Sequence, residues 1–84
     1  MTVNKEKPKI VVILSINHIV EKIDDYSSFE KAHSAVADAA SSKYSELYEQ
    51  VGTDRSLFIA LSERGASVKN LDDGTFWRWT ISKI

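Results

Sequence analysis

The chain has 84 residues, 43% hydrophobic and 27% charged, with a formal net charge of −1 and no cysteine. That length supports one hydrophobic core, and the composition is too apolar for intrinsic disorder and too polar for a membrane protein. Without cysteine, disulfides, zinc-thiolate centres and thiol nucleophiles are excluded; this fits a reducing, cytoplasmic setting and leaves self-association as a source of extra stability.

Residues 1–8 are polar, and Pro8 holds Lys7 extended, so a flexible tail is expected there. The run IVVILSI follows lysines, as the apolar part of a secretory leader does. It is only seven residues long, however, leads into Asn17 and His18 and lacks a small-residue cleavage site. It is also too short to span a bilayer. Its β-branched residues instead predict a central strand over Ile10–Ile16. Asn17-His18 reads as a tight turn without the glycine that such turns favour. Ile19–Ile23 then reads as the returning strand, completing a strand pair over residues 9–25. A short helix capped by Asn17 is the alternative, and the wealth of isoleucine and valine favours the strand.

The stretch SSFE places Ser27 three residues before Glu30, which predicts a capping box. Phe29, Ala32, Val36, Ala40, Tyr44, Leu47 and Val51 then recur at helical spacing, so a helix is expected within residues 27–51, with Gly52 as its stop. Such a helix is roughly 35 Å long, against about 27 Å for an eight-residue strand. It must bend near Ser41-Ser42 or overhang the sheet. An overhang would expose Tyr44, Leu47 and Tyr48 as a helix-end interface, beside Val51, Glu46 and Glu49.

Residues 56–84 read as antiparallel strands. SLFIAL is a strand, its rival being a helix from Thr53 to Gly65. Glu63-Arg64-Gly65 is a turn, Ala66–Leu71 a strand, DDG a hairpin signal and Thr75–Ser82 the last strand. The fold class is therefore α+β: a small antiparallel sheet of four to five strands with one long amphipathic helix on one face.

In FWRW, alternation puts Trp77, Trp79 and Ile81 on one side of the strand. Core packing against the helix is the favoured reading for both tryptophans, over a platform for stacking bases. One helix covers one face, so Val11, Ile13, Phe58 and Phe76, with Arg78 and Lys9 or Lys22 near them, are expected to form a contiguous apolar patch with a basic fringe. Such a patch suits a protein partner or a homodimer; coverage by the N-terminal tail is the alternative.

Charge is uneven along the chain. Residues 21–54 carry eight acids against three lysines, while residues 1–20 and 55–84 are mildly basic. Arg64, Lys69, Phe76 and Arg78 combine basic and aromatic groups, as an RNA- or single-stranded-DNA-binding module would. The pI of about 6.1 and the absence of an RNP signature argue against that use. His18 and His33 stand outside any HExxH motif, no GxSxG is present, and Asp24-Asp25 and Asp72-Asp73 suit solvated strand and turn positions. No cofactor, metal or catalytic residue is expected. Only a concave pocket gathering His18 or His33 with carboxylates would revive an enzyme.

The layout KIVVILSI, then IVEKIDDYSSFEKA, then a closing GTFWRWTISKI, resembles the small accessory proteins of tailed phages, which act in host takeover and counter-defence. The resemblance implies a stoichiometric inhibitor or modulator of a host factor in the host cytoplasm. It carries no functional residue onto this chain.

Overall fold

The computed structural model describes residues 10–52 and 55–83. The tail expected over residues 1–8 lies outside them. Five strands and one helix follow in the order β1 (Ile10–Ile16), β2 (Ile19–Tyr26), α1 (Phe29–Val51), β3 (Leu57–Ser62), β4 (Gly65–Asn70) and β5 (Thr75–Lys83). The strands form a single sheet in the order β2-β1-β5-β4-β3, with every neighbouring pair antiparallel. The fold is α+β, with α1 packed on one face. The two segments where helix and strand competed, 19–26 and 57–62, are both strands. Among the described residues, no helix is long and apolar enough to cross a membrane.

Alternation sorts the side chains of the sheet. Ile10, Val12, Leu57, Ala66, Val68, Trp79 and Ile81 join Ala32, Val36, Ala40 and Leu47 of α1 in one buried cluster, with Leu14, Tyr26, Tyr44, Val51 and Trp77 packed against it. The tryptophans are therefore core residues on the helix side. Trp79 is buried; Trp77 is half-buried beneath the Lys43 ammonium, which lies 5.3 Å from the ring centroid. Alanines at 32 and 40 give α1 a thin inner face that leaves room for the large indoles.

Two turns and a bulge set the registers. Asn17 and His18 both have positive φ (51° and 70°), the conformation of a two-residue type I′ hairpin. The Asn17 main-chain N–H donates to the Phe76 carbonyl, and its Oδ1 accepts from the Phe76 N–H, both at 2.8 Å. Asn17 thus extends the β1–β5 ladder by one rung, its side chain standing in for a main-chain acceptor. Glu21 is an extra residue in β2, since Leu14 faces Lys22 while Ser15 faces Val20. Between β4 and β5, Gly74 turns with φ 77° and donates to the Asn70 carbonyl. The buried Asn70 side chain accepts from the Asp72 N–H. Asp73 accepts from the Thr75 N–H, which holds its carboxyl below the usual value.

The helix begins one residue later than the capping box predicted. Ser28, not Ser27, is the N-cap, and its hydroxyl accepts from the Lys31 N–H at 3.2 Å. This places Glu30 in the first turn, where its charge favours the helix dipole. At the other end, Gly52 adopts φ 76° and donates to the Tyr48 carbonyl. Between these caps α1 leaves the end of β2 and lies chiefly over β4 and β3. No overhang exposes its last turns. Leu47 is buried, Tyr44 and Val51 are packed against the core, and Tyr48 alone of the proposed helix-end trio is exposed.

Candidate interaction surface

The face of the sheet opposite α1 carries no described element. Its central rows follow from the registers. Phe58, Lys69 and Phe76 stand side by side across β3, β4 and β5. In the next same-face row, Ala60, Ser67, Arg78 and Ser15 run from β3 to β1. One step further come Ser62, Gly65, Thr80, Ile13 and Ile23, and beyond them Ser82, Val11 and Asp25. Phe58 is 55% exposed and Phe76 half-buried. The His18 ring, carried by the I′ turn, sits 5.8 Å from the Phe76 ring and extends the aromatic row towards β1.

This arrangement differs from the contiguous patch expected from the sequence. Val11 is buried at 2% exposure and offers no surface. Ile13 lies at the β1–β2 side, beside Ile23, and Ser15, Ser67 and Thr80 with Arg78 separate it from Phe58 and Phe76. The physical reason is the strand order: β5, whose open face is Phe76, Arg78, Thr80 and Ser82, is inserted between β1 and β4. The surface is thus an aromatic and basic strip at one end and an aliphatic pair at the other. Of the four residues in the nucleic-acid reading, Lys69, Phe76 and Arg78 stand together on β4 and β5, and Arg64, in the β3–β4 turn, lines one concavity with Phe76 and Arg78.

A second concavity lies between the start of α1, the β3–β4 turn and the ends of β1 and β5. Phe29, Glu30, His33, Glu63, Arg64 and Lys83 are among its lining residues. It does gather a histidine with carboxylates, the arrangement that would revive an enzyme reading. Within it, the histidine makes a main-chain contact. His33 Nε2 donates to the Ser62 carbonyl at 3.0 Å, and the ring stacks on Phe29 at 6.2 Å and 26°. Among the described residues, its hydrogen bond goes to the main chain of the β3–β4 hairpin, not to Glu30 or Glu63. His33 therefore ties α1 to the end of β3. No group of three or more His, Asp or Glu residues is placed to hold a metal ion among the described residues.

Sequence reasoning did not single out the exposed residues at the two sheet edges. Ile19, Val20 and Ile23 on β2, and Ile59 and Leu61 on β3, are all exposed although apolar. Periodicity assigns Ile19, Ile59 and Leu61 to the helix side, but α1 does not reach far enough to cover them. Which strands form the edges was the missing information.

Compared with known proteins, the chain matches no family model, no curated protein and no solved structure.

Proposed function

We propose that this chain is a non-catalytic binding protein that docks a protein target on the uncovered face of its sheet, at the strip formed by Phe58, Lys69, Phe76 and Arg78. The carrying observation is the Phe58–Lys69–Phe76 row, in which two rings flank an exposed cation on a rigid sheet. Rings on a fixed scaffold bury area at little conformational cost. Lys69 and Arg78 add selectivity for a target that offers carboxylates around an apolar side chain. The resemblance in layout to phage accessory proteins supports a stoichiometric inhibitor or modulator of a host factor in the cytoplasm.

The test is affinity capture with matched variants. A target retained by the wild type is expected to be lost with Phe58→Asp and with Arg78→Glu, and kept with Tyr48→Ala on the helix side. Equal retention by all three variants would remove the strip from consideration. A second reading draws on the same row, since an aromatic–basic–aromatic sequence also suits stacked bases of single-stranded RNA. Its expected signature is binding to a fluorescent oligouridine that weakens steeply with salt and is abolished by Phe58→Ala. Absence of binding at low salt rejects it.

A further inference from the structure

The two edges of the sheet are built differently. β2 carries Glu21, Lys22, Asp24 and Asp25 and is distorted by the bulge at Glu21. Charge and bulging are the usual protections of an edge against pairing with another chain. β3, by contrast, is LFIALS: it contains no charge and no proline, and it pairs with β4 in unbroken register. Phe58 and Leu61 are each more than half exposed, and Ile59 is exposed too.

The hydrogen-bond phase of β3 shows which of its residues face outward. The Leu71 N–H donates to the Ser56 carbonyl, which makes Ser56 and Leu71 a bonded pair in the β3–β4 register. Bonded and non-bonded pairs alternate along an antiparallel ladder. Residues 58, 60 and 62 therefore turn their main-chain groups to β4. Leu57, Ile59 and Leu61 present theirs to the outer edge, where no other described strand lies.

We infer that this edge pairs with β3 of a second copy, antiparallel and about a twofold axis at Ile59, joining two five-stranded sheets into one. The sequence around β3 is self-complementary in that register. Ile59 meets itself, and Leu57 meets Leu61, so the bonding residues of both edges face each other. Phe58 meets Ala60, a large side chain over a small one. Ser56 meets Ser62. One step beyond, the exposed Arg55 meets the exposed Glu63, and the axis repeats each of these contacts. Moving the axis to Phe58 sets Arg55 against Leu61, and moving it to Ala60 sets Leu57 against Glu63; both lose the charge match. A twofold axis at a bonded pair also places both copies of α1 on the same side of the joined sheet, where the exposed Ile59 and Leu61 of each copy come under cover. This interface shares Phe58 with the strip on the open face, while Lys69, Phe76 and Arg78, on β4 and β5, stay accessible in the dimer.

Because the chain lacks cysteine, single-cysteine variants report the register directly. Residues at a bonded antiparallel pair have Cα atoms about 5.5 Å apart, within the span of a disulfide. Ile59→Cys is expected to form a covalent dimer on mild oxidation. Phe58→Cys, offset by two residues from its own copy, is expected to do so far more slowly. Light scattering of the wild type should give twice the chain mass. Arg55→Glu and Glu63→Arg should each raise the dissociation constant about tenfold, and the double swap should restore it. A monomer at all accessible concentrations, faster cross-linking at 58 than at 59, or no rescue by the double swap would each overturn the pairing. Target capture by a monomeric chain would leave the open-face proposal standing.

Discussion

At the scale of single residues, His18 and Gly65 carry unusual backbone demands. His18 holds φ 70° in the second position of a type I′ turn, where glycine is the ordinary choice. The left-handed conformation costs an L-residue about 1–2 kcal/mol, and glycine's extra freedom in the unfolded chain returns part of that. His18→Gly is therefore expected to stabilise the fold by about 0.5–1 kcal/mol, read as a rise in the urea midpoint. An unchanged or lower midpoint would mean that the contact of the His18 ring with Phe76 outweighs the strain. Gly65 poses the opposite case. Its φ is unremarkable, but a Cβ there would collide with the carbonyl oxygen of Trp79 on the neighbouring strand. Main chain cannot move aside as a side chain can, so Gly65→Ala should destabilise by about 2–3 kcal/mol. A loss below about 0.5 kcal/mol would show that β4 and β5 separate easily at this rung.

At the scale of elements, the strands and the helix were legible in the sequence because their signals are local. The β-branched run at Ile10–Ile16, the helical stripe from Phe29 to Val51 and the Asp-Asp-Gly turn each depend on residues close in the chain. The helix start was misplaced by one residue, since Ser27 and Ser28 are chemically equivalent and only the backbone decides between them. The structure makes the distinction testable. Ser28→Ala removes the acceptor for the Lys31 N–H and should cost about 1 kcal/mol. Ser27→Ala, outside the cap, should fall within about 0.5 kcal/mol of wild type. A reversed order in thermal melts would restore the capping box. The candidate surface was less legible. Assigning Phe58, Phe76 and Arg78 to one face required only alternation, and that assignment agrees with the structure. Joining them to Val11 and Ile13 required the strand order, and the placing of β5 between β1 and β4 is a long-range pairing that no local pattern encodes.

At the scale of the whole molecule, the fold leaves much apolar surface unspent for so short a chain. One helix covers one face, no disulfide constrains the unfolded state, and large side chains at both sheet edges remain in water. An 84-residue core of this kind is expected to hold a thin margin by itself. Pairing of β3 between two copies would add to that margin by mass action, because the paired state is favoured only while it is folded. Stability should then depend on protein concentration. Each tenfold rise adds about 1.4 kcal/mol to the free energy of converting one folded dimer into two unfolded chains. The urea midpoint should accordingly climb between about 1 and about 100 μM protein. Ile59→Lys sets two like charges against each other at the axis while leaving the bonds to β4 in place. It should abolish the concentration dependence and fix the midpoint near the low-concentration value of the wild type. If the wild-type midpoint is instead the same across that range, the single chain carries all of its own stability, and the uncharged edge of β3 has no second copy to meet.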